Sequence, residues 1–163
     1  MTFLNRIAVA SVTLALAGTG YAQQLGTKRT LTLEIAKKLA AAAEAEAAKN
    51  KWTMYITIVD DGGMPIYIQR MDETQLGSYE VSIEKARSAV NFKRPTKAFE
   101  DAVLTQNRAV VLKLPGALPV EGGVPLMADG KLIGAIGVSG GTSVQDGQVA
   151  AVAVAALEAI VKK

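Results

Sequence analysis

Two short blocks constrain the fold more than anything else in this sequence, because each reads as two strands joined by a tight turn. Met54-Tyr-Ile-Thr-Ile-Val-Asp60 is rich in β-branched and aromatic residues, Asp61-Gly62-Gly63 is a turn signal, and Pro65-Ile-Tyr-Ile-Gln-Arg70 is a second β-rich run. The pattern returns in Val124-Pro-Leu-Met-Ala128, the turn Asp129-Gly130, and Lys131-Leu-Ile-Gly-Ala-Ile-Gly-Val138. Glycines inside that last strand mark places where a helix or a ligand can approach the backbone.

Helical periodicity fills the spaces between these hairpins. Thr30 is placed to cap a helix with Glu34 in its first turns. Leu33, Ala36, Leu39, Ala40 and Ala43 share one face of it, and it continues to about Lys49. Ser78 to Phe92 has helical spacing, with Val81, Ala86, Ala89 and Val90 inward and Glu80, Glu84 and Arg87 outward. Arg94-Pro95 breaks it, and Thr96 is placed to cap a short helix through Leu104. Ser143 to Val161 is an apolar helix opened by a capping-box-like Ser143-Val-Gln-Asp146. Arg108 to Leu114 reads as extended. The order helix, hairpin, helices, hairpin, helix predicts an α+β fold of about five antiparallel strands flanked by helices in layers.

The N-terminus, MTFLNRIAVASVTLALAGTGYAQQ, has Arg6, an apolar run from Ile7 to Ala17, and small residues ending at Ala22. This is the pattern of a secretory signal peptide over residues 1–22, cleaved before Gln23. The run is shorter than the roughly 20 apolar residues that cross a bilayer. Residues 23–163 are then expected to form a single periplasmic or secreted domain with no stable membrane span after cleavage. The chain has no cysteine, so its stability must come from packing. The formal charge is +3, or +2 once Arg6 is removed, and the basic residues are scattered, so no nucleic-acid surface is indicated.

The sequence also contains no histidine. Without imidazole or thiol, a Ser-His-Asp triad, a zinc site of the HExxH or Cys-rich kind and a CxxCH haem attachment are all excluded, and no metal site is expected. Gly137-Val-Ser-Gly-Gly141 fits the G-x-S-x-G pattern of a nucleophile elbow, but Ser139 has no base to activate it. Ser82-Ile-Glu-Lys85, an S-x-x-K match inside a helix, lacks companion motifs and reads as chance.

Ser139, Gly140, Gly141 and Thr142 precede a helix N-terminus, where backbone N–H groups favour an anion. They equally suit a turn needed only for chain geometry, and spacing does not separate the two. Arg70, just past a strand and followed by Asp72, is placed to meet a ligand carboxylate, although such an arginine more often pairs with Asp72 or Glu73. Arg94 and Lys97 flank a proline and add charge to a rim. Glu121-Gly122-Gly123 offers one carboxylate beside a close-approach turn. Asp60, Asp61 and Asp129 are explained as turn residues. Met54, Met64, Met71 and Met127, with Tyr55, Tyr67 and Tyr79, suit core packing before they suit an apolar ligand or a haem axial bond.

Placed in order, these pieces resemble the GlcG/HbpS family, whose members include haem-binding proteins and the C-terminal domain of PduO-type proteins. The matching stretches are Ile58-Val-Asp-Asp-Gly-Gly63, Arg70-Met-Asp72, Ser82-Ile-Glu-Lys-Ala86, Arg94-Pro-Thr96, Gly122-Gly-Val-Pro125, Asp129-Gly130 and Gly134 through Asp146. The resemblance implies a profilin-like five-stranded antiparallel sheet between helix layers, usually assembled into homo-oligomers. Members with haem activity are associated with a histidine early in the domain; the corresponding segment here, Leu31 to Lys49, has none.

The reading that follows is an exported, non-catalytic small-ligand-binding protein. Its leading ligand, implied by the family, is haem or a related tetrapyrrole held without a histidine, and no other cofactor is expected. Arg70, Asp72, Glu121, Gly123, Ser139, Gly140, Gly141 and Thr142 are the candidate binding residues. The alternatives are an enzyme using Asp72 or Glu121 as acid/base on a small organic acid, and a structural oligomer.

Overall fold

A computed structural model describes residues 26–162; the expected signal peptide, 1–22, lies outside them. The chain runs α1 (Leu33–Lys49), β1 (Tyr55–Asp60), β2 (Pro65–Arg70), α2 (Ser78–Phe92), α3 (Lys97–Leu104), a 3-10 helix (Ala109–Lys113), β3 (Gly123–Ala128), β4 (Lys131–Ser139) and α4 (Ser143–Val161). The two predicted hairpins form, and β1 pairs with β4 to join them in the order β2-β1-β4-β3, every neighbour antiparallel. Both tight turns therefore lie at one end of the sheet. The start of β1, the exit of β2, the entry of β3 and the end of β4 gather at the other.

Strand alternation divides the sheet into two buried faces. Ile56, Ile58, Leu126, Ile136 and Val138 pack with Leu39, Ala43, Val149, Ala153 and Leu157 of α1 and α4. The opposite face, with Val59 and Ala135, receives α2 through Ala86, Ala89 and Val90. Here the glycines of β4 have a helix for company. A Cβ on Gly137 would lie 1.9 Å from the Ser82 carbonyl oxygen and 2.7 Å from the Ala86 nitrogen, so α2 rests directly on the strand backbone.

Among the described residues the sheet has four strands, which corrects the expectation of about five. The apolar run after Arg108 is a 3-10 helix. Asn107 takes φ 54°, a left-handed conformation Asn tolerates, and the Arg108 N–H donates to the Ala102 carbonyl at 2.8 Å. The chain is thereby folded back onto α3, where Val111 alone is buried, with Phe99 and Ala102, while Val110 and Leu112 stay 64% and 59% exposed.

Two helix starts also shift. The N-cap of α1 is Thr32, whose Oγ1 accepts from the Ile35 N–H, because Leu31 is drawn into the core before the helix begins. The capping box of α4 starts one residue early, with Thr142 and Gln145 bonding reciprocally. At 19 residues, α4 is the one helix among those described that is long and apolar enough to cross a membrane. Its inward side, Val149, Ala150, Ala153 and Leu157, belongs to the core.

Candidate functional site

Antiparallel register brings three predicted features into line at the end of the sheet away from the tight turns. Arg70 on β2 faces Tyr55 on β1, and Tyr55 faces Ser139 on β4. At about 4.8 Å per strand, the backbones of Arg70 and Ser139 are roughly 10 Å apart. The Arg70 guanidinium carbon lies 5.9 Å from the centre of the Tyr55 ring, and Tyr55 meets Tyr79 of α2 edge-on at 5.7 Å. Arg70 Nη2 donates to the Thr74 carbonyl at 3.4 Å. No ion pair joins it to Asp72 or Glu73 among the described residues, so its charge faces solvent unmatched.

The glycine turn after Ser139 does cradle an anion, but it is the chain's own. The Gly141 N–H donates to Asp146 Oδ1 at 3.0 Å, and the Gly140 N–H also supports that carboxylate. The Thr142 N–H donates to Gln145 Oε1 at 2.9 Å. The amides of Gly140, Gly141 and Thr142, read from the sequence as a place for a ligand anion, are thus engaged internally, as a helix start must arrange when an acceptor is within reach.

Asp146 Oδ2 lies 2.6 Å from Lys85 Nζ, and the same ammonium donates to the Val138 carbonyl at 3.0 Å. The two side chains are 3% and 1% exposed. Burial pushes the Asp146 carboxyl above the ordinary aspartate value, against the Lys85 charge and the Gly141 and Gly140 amides, which hold it down. Gly122, at φ 126°, closes over this pair; a Cβ there would lie 2.9 Å from Lys85 Nζ. The Gly123 N–H donates to Thr96 Oγ1 at 2.9 Å, and a Cβ on Gly123 would strike the Lys85 carbonyl oxygen at 2.2 Å. Gly123 is accordingly a packing residue, and Thr96 spends its hydroxyl on β3 where the sequence suggested a helix cap.

Glu121 stands half-buried beside Gly147 of α4. Its N–H donates to the Glu100 carboxylate, which also accepts from Ser143 Oγ at 2.9 Å. Burial, followed by the Glu100 and Asp101 charges, pushes the Glu121 carboxyl above the ordinary glutamate value, against the pull of Lys97 and Lys85. Asp72 leaves β2 at the opposite edge of the sheet, three strand spacings or about 14 Å away, so the structure does not bring the two candidate carboxylates together.

Ser139 has no activating base: Lys85 is committed to Asp146 and Val138, and Ser82 bonds Thr57 and the Tyr79 carbonyl. The methionines do not converge. Met54 is in the core, whereas Met64 and Met127 are exposed near the tight turns. No group of three or more Asp or Glu residues able to hold a metal ion exists among the described residues. Sequence reasoning missed the Lys85–Asp146 pair and the role of Tyr79. Lys85 stands in the S-x-x-K match and beside Ala86, but the sequence spacing predicts an inward set of Val81, Ala86, Ala89 and Val90 for α2, whereas the buried side holds Ser82, Lys85, Ala86 and Ala89.

The fold and this end together define a class: a three-layer α+β domain whose glycine turn is neutralised from within and whose sheet end presents an arginine–tyrosine row. The chain belongs to the GlcG/HbpS family; residues 31–155 match the family model described as "Haem degrading protein HbpS-like". It is 42% identical to Protein GlcG of Escherichia coli K12 over 113 residues, 69% of this chain and 84% of that one. It is similar to a double mutant of Streptomyces reticuli HbpS, with TM-score 0.74 and 30% identity over 91% of this chain and 98% of that one. It is also similar to the PduOC:heme complex, with TM-score 0.71 and 30% identity over 78% and 95% of the two chains.

Proposed function

We propose that this chain is an exported small-ligand-binding protein whose ligand is haem or a related tetrapyrrole, bound without an axial histidine. Its likeness to a protein solved with haem supports the ligand class. The observation in the chain itself that carries the reading is Arg70: a guanidinium without a carboxylate partner among the described ion pairs, lying over Tyr55, which in turn meets the 40% exposed Tyr79 edge-on.

A tetrapyrrole is a flat apolar plate with carboxylates on one edge. The planar fork of Arg70 suits that edge, and the exposed ring of Tyr79 suits the face. The iron is matched less well, since the sequence lacks both imidazole and thiol and Lys85 is held by Asp146. Axial ligation therefore falls to a Met, a Tyr or a lysine other than Lys85, or binding rests on the plate and its acidic edge. Asp72, Glu121 and Ser139 to Thr142 line or brace this end of the domain.

Titrating haemin into the purified protein tests the reading. A saturable Soret shift is expected, with affinity reduced about tenfold or more in Arg70→Ala, the loss of one charged hydrogen-bond partner. Absence of a saturable shift, or an Arg70→Ala variant that binds like the parent, overturns it.

The raised carboxyl of Glu121 favours one second reading, acid/base chemistry on a small organic acid. Turnover of a glycolate-like acid that disappears in Glu121→Ala would replace the binding proposal. Export through residues 1–22 and self-association through α4 complete the proposed picture.

A further inference from the structure

A cavity of about 280 Å³ lies between α3, the 3-10 helix and the Arg94 corner, away from the Arg70 row. Its floor is apolar: Phe99, Ala102 and Val111 are buried there as a cluster of their own. Its rim is cationic. The Arg94 guanidinium carbon sits 5.5 Å from the Phe99 ring centre, and its Nε donates to the Phe92 carbonyl, which leaves its Nη groups without a partner among the described hydrogen bonds. Arg108 also lines the cavity, its backbone set by the left-handed turn at Asn107 and by its own N–H bond to Ala102.

Neither arginine forms an ion pair among the described residues. The acidic residues of α3 are occupied elsewhere: Asp101 pairs with Lys97 at 2.7 Å, and Glu100 accepts from the Glu121 N–H and Ser143. A small pocket with an apolar floor and two unmatched guanidiniums in its lining suits a compact organic body carrying a single carboxylate.

We infer that this pocket is a second ligand site, for a small organic acid whose body rests in the cavity on the floor formed by Phe99, Ala102 and Val111 and whose carboxylate is received by Arg94 and Arg108. The cavity volume is at the lower end for small-molecule sites, at about 300 Å³, which suits a ligand of the size of a simple aromatic acid. The apolar floor selects against inorganic phosphate, which has nothing to bury. The site does not depend on the tetrapyrrole reading, and either can fail alone.

Benzoate is the probe, titrated into uniformly 15N-labelled protein at low salt while backbone amide shifts are followed. Saturable shifts are expected at Ala102, Val111 and Leu114, with the amides of Arg70 and Gly141 unmoved. Arg94→Gln and Arg108→Gln should each weaken binding about tenfold. Both side chains are exposed, and unchanged shifts around Gly137 would certify the fold of each variant. Three results overturn the inference: benzyl alcohol or inorganic phosphate moving the same amides at the same concentrations, benzoate shifts mapping to the Arg70 row, or both variants binding benzoate like the parent.

Discussion

Lys85 and Asp146 are 61 positions apart in the chain, yet each is the other's charge partner in a place water hardly reaches. A buried pair of this kind adds little net stability over an apolar replacement, but removing one member strands the other. Lys85→Met should therefore lower the unfolding free energy by about 3 kcal/mol or more, read from urea titration. Adding Asp146→Asn, which keeps an acceptor for Gly141, should restore much of it. Equal stability of the single and double variants would contradict the pairing. The sign with pH follows from the direction of the Asp146 shift. A carboxyl raised above 3.8 holds its proton more tightly folded than unfolded, and losing Lys85 raises it further. The deficit of Lys85→Met should thus be smallest below 3.8 and grow as the pH rises through the raised value.

At the scale of elements, α2 comes closest to β4 at Gly137, where the strand offers no side chain and the Ser82 carbonyl rests on its backbone. Gly137→Ala places a methyl group 1.9 Å from the Ser82 oxygen, and neither backbone can give way without moving the Thr57–Ser82 hydrogen bond and the Tyr55–Tyr79 contact. A loss of about 3 kcal/mol or more is expected, with the far-ultraviolet spectrum retained only if α2 lifts as a unit. The hairpins and α2 were legible because period-2 and period-3.6 patterns sit between strong turn signals. The 3-10 helix was not, since Val110, Val111 and Leu112 have strand composition and only the fold-back at Asn107 decides their fate. The site was legible as a set of ingredients: Arg70 and Ser139 were singled out, but their alignment through Tyr55 is a matter of register between distant strands. The anion preference of the glycine turn was legible as well. That the anion is Asp146 depends on a side chain turning back onto its own helix start, which spacing does not reveal.

For the molecule as a whole, α4 raises a question that the other helices do not. It is apolar over most of its surface, with Gln148 and Glu158 its polar residues on the exposed side, and α1 and the sheet cover only one side. Val144, Ala151, Ala155 and Ala159 remain exposed on the outward side, where surface helices ordinarily carry charge. A small-residue, nearly uncharged helix face complements another copy of itself, because two such helices approach closely and a two-fold axis uses the same patch twice. The proposed self-association through α4 would account for that composition. Ala155→Glu places a charge at the middle of the face with little intrinsic cost to an exposed helix. Sedimentation velocity at about 50 µM, well above the micromolar dissociation constants of modest interfaces, should then find the parent as a multimer and the variant shifted to monomer with its helix content unchanged. A monomeric parent, or a variant that remains multimeric, would assign the apolar face of α4 to some other contact.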